Sequence, residues 1–202
     1  IVALSLVVAA PSAQSRANGA MTVYVVDVEG GNATLIVSPS RESLLIDTGN
    51  AVGAVRDVQR IIAAVNDAGV HQIDHLVTTH WHRDHFGGME LLAARIPIQE
   101  FIDHGRNEQP DALIDGFQRD IYPRLYSKAI HRVVKAGEKI PMAGLDVSVI
   151  ASAGEVIRTP LPGAGEPNPY CGTTKPPVSD NNENEQSIAL HIRFGRFRIV
   201  DP

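Results

Sequence analysis

The alternation of apolar and polar positions changes period several times along the chain, and each change predicts a new element. Strict or near-strict alternation between turn residues is typical of β-strands, and apolar residues at helical spacing indicate α-helices. The predicted strands are 21–28, 33–38, 43–47, 74–79, 98–103, two within 133–150, 187–194 and 196–201. The predicted helices are 55–65, 89–95 and 111–130, the last interrupted at Pro123. Strands at both ends with helices between them favour an α+β fold in which two packed sheets lie between helix layers.

Composition fits one globular domain and gives no sign of a nucleic-acid-binding surface. The chain has 202 residues, of which 44% are hydrophobic and 20% charged. Its net charge is −5 and its pI about 5.9, so a nucleic acid partner is possible but is not supported by charge. A single cysteine, Cys171, excludes an internal disulfide; we interpret it as incidental rather than as a metal or redox thiol. The sequence predicts no oligomeric state.

Residues 1–20 differ from the rest of the chain. Residues 1–10 are apolar except for Ser5, and small residues follow Pro11, as in the apolar core and cleavage zone of a secretory signal peptide. The apolar run is much shorter than the roughly 20 residues that cross a bilayer. We therefore predict a partial signal peptide and a secreted or periplasmic bacterial protein, with a buried first strand as the alternative.

A dense group of potential metal ligands lies between residues 80 and 85. It consists of His80, His82, Asp84 and His85. In an extended segment His80 and His82 project to the same side and can hold one ion, and a turn after them can aim Asp84 and His85 at a second ion. Imidazole nitrogen and carboxylate oxygen suit zinc, and iron or manganese less well. The alternative interpretation is a polar surface loop.

The residues on either side of this run also fit a metal-binding loop. An apolar, β-branched strand precedes it, and Gly87-Gly88 follows it and leads into a helix. Glycines permit a tight backbone path where larger residues would crowd the ions. By contrast, His71 and His75 flank the strand on the other side and are predicted surface groups.

The run at 80–85 resembles the His-x-His-x-Asp-His signature of the metallo-β-lactamase superfamily, and the Gly-Gly step after it is typical too. The resemblance implies an αββα sandwich of two mixed sheets flanked by helices, with the domain at 21–202. It also implies that this domain is C-terminally truncated, because the superfamily continues into a Gly-Asp step and a last histidine ligand. Four flanking stretches resemble the extracellular domain of bacterial DNA-uptake competence channels and its secreted relatives: 25–32, 44–49, 101–105 and 180–197.

Within this resemblance, Asp47 corresponds to an aspartate that orients the ligand histidines through hydrogen bonds; a turn-forming role is the alternative. One departure concerns the third ligand of the first ion. Lactamase-type and glyoxalase-type members supply a histidine from a loop that here reads Asn-Asn-Glu-Asn-Glu, residues 181–185. His104 or this asparagine-rich turn is the candidate replacement, and a supporting or substrate-facing role for His104 is the favoured alternative.

The expected chemistry is hydrolysis by a metal-activated hydroxide, with Asp84 as the catalytic residue that orients the nucleophile. A dinuclear zinc site is expected. The resemblance implies a phosphodiester or a related ester or amide bond of a small-molecule or nucleotide-type substrate. Lactone or β-lactam hydrolysis is a second hypothesis, which the missing histidine loop disfavours. The alternative from another class is a degenerate, non-catalytic module that binds metal or a partner.

Overall fold

The computed structural model describes residues 19–162, 164 and 182–201. Cys171, Asn181 and residues 1–18 of the predicted signal peptide lie outside the described residues, so the export of the protein stays a prediction. The strands are β1 Thr22–Val25, β2 Thr34–Val37, β3 Ser43–Ile46, β4 Ile73–Val77, β5 Ile98–Asp103, β6 Ile130–Val133, β7 Lys139–Met142, β8 Leu145–Ser152, β9 Glu155–Val156, β10 Ala189–Phe194 and β11 Phe197–Asp201. The α-helices are α1 Ala54–Ala68, α2 Arg83–Phe86, α3 Met89–Ala93, α4 Ala112–Gly116 and α5 Tyr122–Leu125. Within the described residues, no helix has the length and apolarity needed to span a membrane.

Sheet 1 has six strands in the order β1-β2-β3-β4-β5-β6 and is mixed. Strands β1 to β3 pair antiparallel, and β3 to β6 pair parallel. Because the carboxyl ends of parallel strands meet at one edge, the loops that follow β3, β4 and β5 come together there. That edge carries residues 47, 80–88 and 104–109.

Sheet 2 confirms the predicted two-sheet sandwich but differs from it in one detail. Its strands run β11-β10-β8-β7 with β9 beside β8, and every described pair is antiparallel, so the prediction that both sheets are mixed is wrong for this one. The reason is visible in the sequence. Strands β7 and β8, and likewise β10 and β11, are joined by tight turns at Gly144 and Gly195, and such short connections permit only antiparallel pairing.

Two apolar layers hold the sandwich together. The inter-sheet layer includes Ile36, Ile46 and Val77 from sheet 1 with Val147 and Leu190 from sheet 2, all within 1% of complete burial. The outer layer packs α1 and the helices after β5 on the other face of sheet 1. Strand alternation explains the division, because successive side chains of β2 and β4 enter different layers.

The helix predicted at 111–130 is wrong in extent. It divides into α4, a π-helical turn at Phe117–Ile121 and the short α5, and the chain then enters β6. Pro123 accounts for the change, because a proline has no N–H to donate and its ring conflicts with the carbonyl four residues before it. The wider hydrogen-bond spacing of the π-helical turn is one way to accommodate such a residue.

A polar cluster connects the sheets at the end remote from the metal-ligand loop. His75 Nδ1 lies 2.6 Å from Glu100 Oε2, and Arg132 Nε donates to Glu100 Oε1 at 2.9 Å and Nη1 to the Lys139 carbonyl at 3.1 Å. His75 Nε2 lies 3.6 Å from Glu42 Oε1, an ion-pair distance rather than a hydrogen bond. The surface location predicted for His75 is therefore wrong, whereas that of His71 is confirmed.

The charges in this cluster shift both pKa values. Burial lowers the pKa of His75, but the hydrogen bond and charge of Glu100, with the charge of Glu42, raise it on balance above its usual value. Burial raises the pKa of Glu100, but His75 and Arg132 bring it below its usual value. The pair is therefore ionised together between the two usual values, about pH 4.5 and 6.5.

We expect His75→Gln to destabilise the protein more at pH 5.5 than at pH 9. A raised histidine pKa stabilises the fold fully below about pH 6.5, and this contribution is lost as the pH rises through the folded-state pKa. Urea unfolding of the full-length protein, followed by circular dichroism in the presence of a chelator, should show a loss of about 1–3 kcal/mol at pH 5.5. An equal loss at both pH values would contradict the ionic interpretation of the pair.

Candidate metal centre

Backbone hydrogen bonds join the loop after β3 to the loop after β4. The N–H of Thr48 donates to the His85 carbonyl at 2.7 Å, that of Ala51 to the Arg83 carbonyl at 2.9 Å, and that of Gly87 to the Gly49 carbonyl at 3.0 Å. The two loops are thus held in register as if they were short strands. This pairing brings the side chain of Asp47 beside the histidines of residues 80–85.

Gly87 and Gly88 permit this close approach. A Cβ atom at Gly87 would lie 2.0 Å from the Ala51 nitrogen, and one at Gly88 would lie 2.3 Å from the Thr48 carbonyl oxygen. Both contacts are with backbone atoms, which cannot swing away as a flexible side chain can. The Gly-Gly step is therefore required by the packing of the two loops, as its place in the sequence indicates.

Asp47 is the polar centre of the paired loops and is 1% exposed. Its Oδ1 accepts the Thr79 N–H at 2.8 Å, and its Oδ2 accepts the Thr79 hydroxyl and His85 Nδ1, each at 2.7 Å. The hydrogen bond predicted between this aspartate and a histidine of the loop is present. Asp47 also has a φ of 62°, a left-handed conformation that aspartate tolerates better than most residues. Such strain costs on the order of 1–3 kcal/mol and persists where other interactions outweigh it.

His80 and His82 face each other through ring nitrogens. His80 Nε2 lies 3.1 Å from His82 Nδ1, so the side chains that spacing predicts on one side of the chain do converge. The opposite nitrogens are both engaged: His80 Nδ1 lies 3.1 Å from the Thr79 hydroxyl, and His82 Nε2 lies 3.3 Å from Gln109 Oε1. Because the Thr79 hydroxyl already donates to Asp47, it can only accept from His80. The Gln109 oxygen likewise only accepts.

These contacts bear on where the imidazole protons lie. The Thr79 contact favours a proton on His80 Nδ1, which leaves His80 Nε2 with a free lone pair. Binding of one cation by both inner nitrogens would require the proton of His82 on Nε2, the nitrogen that faces Gln109 Oε1. Burial, and then the positive charges of His85 and His82, lower the pKa of His80 to about 3. His80 is therefore neutral at ordinary pH, the form in which imidazole ligates metals.

His85 and Asp84 stand beside this pair. The ring centroids of His80 and His85 are 4.0 Å apart, and His85 Nε2 lies 3.8 Å from Asp84 Oδ2. With Nδ1 held by Asp47, His85 presents Nε2 towards the Asp84 carboxylate, whose side chain is 41% exposed. Burial lowers the pKa of His85, but the hydrogen bond and charge of Asp47 raise it on balance.

His104, a candidate for the third ligand of the first ion, forms a buried pair with Glu183. His104 Nε2 lies 2.8 Å from Glu183 Oε1, and the two side chains are 1% and 0% exposed. Glu183 belongs to the asparagine-rich turn, so the two candidate replacements pair with each other. Burial raises the pKa of Glu183, but His104 and the backbone N–H groups of Glu108 and Trp81 bring it below its usual value. Within the described residues, no group of three or more His, Cys, Asp or Glu side chains is already arranged to hold a metal ion.

Asp201 was not among the predicted site residues, yet the fold brings its charge to this edge. Asp201 pairs with Leu190 across sheet 2, and strand alternation puts both on the face that looks towards sheet 1. Burial, and then the charge of Asp47, raise the pKa of Asp201 to about 6, while His85 opposes that shift. The alternation of side chains along β11 is the sequence signal that could have indicated this position of Asp201. Gln109 and Glu183 carried no comparable signal, because their contacts depend on how loops fold.

Comparison with known proteins identifies the family. Residues 26–170 match the sequence model of the Metallo-beta-lactamase superfamily, which is well over half of the chain. The chain belongs to this superfamily. Its two packed sheets, with helices on the outer face of sheet 1, and the position of residues 80–85 at the sheet edge are consistent with that membership.

Curated relatives match shorter segments. An "Atrochrysone carboxyl ACP thioesterase" of Aspergillus terreus is 33% identical over 88 residues, covering 43% of this chain and 27% of that protein. A "Beta-lactamase-like protein 2 homolog" of Drosophila melanogaster is 33% identical over 90 residues, covering 42% of this chain and 29% of that protein. The chain thus spans less than a third of the length of these relatives. The matches support the superfamily and not the competence-channel branch in particular.

Solved structures show the same fold. The metallo-β-lactamase SMB-1, in a complex with mercaptoacetic acid, has a TM-score of 0.55 at 18% identity, covering 89% of this chain and 60% of that one. A Cronobacter sakazakii metallo-β-lactamase with a HARLDQ motif has a TM-score of 0.54 at 16% identity, covering 88% of this chain and 57% of that one. At such identities the likeness concerns the fold of the superfamily alone.

We expect Gly88→Ala to destabilise the protein by about 1–3 kcal/mol, because the new methyl group would force the paired loops apart. Gly116→Ala is the matched control: its Cβ would have no neighbour closer than 3.9 Å, so the change should be neutral or slightly stabilising. Thermal unfolding of both variants measures the difference. Equal melting temperatures would show that the glycine at 88 is not required by packing.

Proposed function

We propose that the protein is a metal-dependent hydrolase whose centre is built from His80, His82, Asp84 and His85. The observation that carries the proposal is the 3.1 Å contact between His80 Nε2 and His82 Nδ1, which brings two potential ligand nitrogens to one point. With the proton of each ring on its outer nitrogen, both inner lone pairs would be available to one cation. Hydrogen bonds from His80 Nδ1 to the Thr79 hydroxyl and from His82 Nε2 to Gln109 Oε1 would maintain that arrangement, as the outer hydrogen bonds of metal-ligating histidines usually do.

The donor set fits zinc. Two nitrogens bound to one tetrahedral zinc at about 2.0–2.1 Å stand roughly 3.3–3.4 Å apart, so the observed separation needs only a slight opening. His80 and His82 would hold the first ion. His85 Nε2 and Asp84 would hold a second, and Asp47 fixes the other His85 nitrogen. Dinuclear occupancy, and zinc rather than iron or manganese, are part of the proposal.

Bound metal would supply a water of lowered pKa and a positive charge for the oxygen that gains charge in the transition state. The protein's own residues would orient the attacking water and limit the access of bulk water. Asp84, whose side chain is partly exposed, would help to hold the second ion and would also accept a hydrogen bond from the attacking water and so orient it. Asp47 keeps the proton of His85 on Nδ1, which leaves Nε2 available throughout the reaction. Trp81 is fully buried and its ring contacts Phe86 and Tyr122, so the side of the loop that faces the core is closed to water.

The proposed substrate is a phosphodiester or a related ester or amide bond of a small or nucleotide-type molecule. The competence-channel resemblance of residues 25–32 and 101–105 favours the phosphodiester. The thioesterase names of several curated relatives favour an acyl thioester as the second candidate. Both bonds yield to attack by a hydroxide with charge developing on oxygen, so one centre suits either.

We expect the full-length protein, loaded with zinc, to hydrolyse bis-(p-nitrophenyl) phosphate or an acyl thioester, and His82→Ala to reduce turnover by at least 100-fold. His82 supplies a facing nitrogen and little packing, because its side chain is only partly buried. Turnover, bound zinc and the circular dichroism spectrum are measured together. The control is His71→Ala, an exposed histidine outside the centre, which should leave all three unchanged.

Unchanged turnover in His82→Ala would refute the assignment of the centre. Zinc bound by the wild-type protein without hydrolysis of any ester, thioester or β-lactam would refute the enzyme and leave the metal-binding module. Activity on only one of the two leading substrates would identify the bond class.

A further inference from the structure

The buried carboxylate of Glu183 joins its own turn to two segments that are far from it in sequence, the Trp81 segment and the loop at 104–109. Its Oε1 accepts the Trp81 N–H at 2.9 Å and lies 2.8 Å from His104 Nε2, and its Oε2 accepts the Glu108 N–H at 2.9 Å. The side chain has no exposure to solvent. Burying an ionised carboxylate costs several kcal/mol, so it is tolerated only where donors compensate it, as these three do.

The Trp81 segment and the loop at 104–109 both adjoin the facing pair of imidazoles. Trp81 is the residue between His80 and His82, and its indole Nε1–H donates to the Gly105 carbonyl at 2.7 Å. Glu108 precedes Gln109, whose side-chain oxygen lies 3.3 Å from His82 Nε2. Glu183 therefore holds the backbone between the two histidines and also the loop that fixes the proton position of His82.

We propose that Glu183, paired with His104, is a positioning residue that keeps His80 Nε2 and His82 Nδ1 directed at each other. The pair acts through the Trp81 peptide and the loop at 105–109, and it makes no contact of its own with substrate. The asparagine-rich turn would then support the ligand loop from behind rather than supply a ligand. The inference deepens the proposed function, because the site it serves is the proposed metal centre.

The chain offers a matched control. His75 and Glu100 form another largely buried histidine–carboxylate pair in sheet 1, remote from the ligand loop. His75→Gln and His104→Gln each remove an ionisable histidine from such a pair and keep a side chain that can donate to the carboxylate. A purely structural role for His104 predicts the same consequences for both variants. A positioning role predicts a further change at His80 and His82 that only His104→Gln causes.

The first measurement is Co²⁺ binding by the full-length protein, followed by its visible absorption spectrum. We expect His104→Gln and Glu183→Gln to weaken Co²⁺ binding by about 10–100-fold, the usual effect of removing a partner that supports metal ligands. His75→Gln should bind Co²⁺ as the wild-type protein does, although it unfolds more easily. Wild-type affinity in both His104→Gln and Glu183→Gln would overturn the proposal.

The second measurement needs no metal and therefore separates this inference from the proposed function. Nitrogen-15 NMR of the metal-free protein reports which ring nitrogen carries each histidine proton. We expect the His80 and His82 tautomers to be single in the wild-type protein and mixed in His104→Gln. Gln109→Ala, a change of an exposed side chain that should not affect folding, should mix the tautomer of His82 alone. Unchanged histidine tautomers in His104→Gln would overturn the positioning role, whatever the result of the Co²⁺ measurement. Failure of the wild-type protein to bind Co²⁺ would instead reject the metal centre.

Discussion

The candidate site depends on one buried carboxylate, that of Asp47. It accepts three short hydrogen bonds, from the Thr79 backbone, the Thr79 hydroxyl and His85 Nδ1, while its own backbone has a left-handed φ. Hydrogen bonds to a charged group contribute about 1.5–3 kcal/mol each, so together they exceed a backbone strain of a few kcal/mol at most. The result is a fixed carboxylate at the edge where the parallel strands of sheet 1 end.

The hydrogen bonds of this carboxylate bear on the proton positions of His80 and His85. The Thr79 hydroxyl donates to Asp47 and so can only accept from His80, which places the His80 proton away from His82. On the opposite side, Gln109 Oε1 faces His82 Nε2 and can accept a hydrogen bond from that nitrogen. His85 is oriented by Asp47 directly. The superfamily signature at residues 80–85 supplies the donors, but it is hydrogen bonding outside the signature that decides which nitrogens are available.

The fold could be predicted from sequence where one short-range pattern determined it. Strand alternation placed β2, β3 and β5 within a residue or two, and the spacing of His80 and His82 predicted their convergence. Prediction failed where contacts distant in sequence decided the outcome. The charge partners of His75 come from β5 and the turn before β3, and the hydrogen bond between His104 and Glu183 spans 79 residues. The break near Pro123 was visible, but the chain's return to sheet 1 as β6 was not.

Superfamily membership and the site also differ in what supports them. The family follows from a match over residues 26–170, and the fold from two packed sheets with helices on the outer face of sheet 1. The printed activities are not shared so uniformly, because curated relatives, of whose length this chain spans less than a third, carry names as different as thioesterase and lactamase-like protein. The candidate site is supported by the geometry of residues 80–85 and of the side chains that hydrogen-bond to them.

The most direct test of the account is anomalous X-ray scattering at the zinc edge from crystals of the full-length protein grown with zinc. The account predicts an anomalous peak about 2.0–2.1 Å from both His80 Nε2 and His82 Nδ1, with a second peak next to His85 Nε2 and Asp84. An absence of any peak within ligand distance of these histidines, or zinc bound only elsewhere, would contradict it.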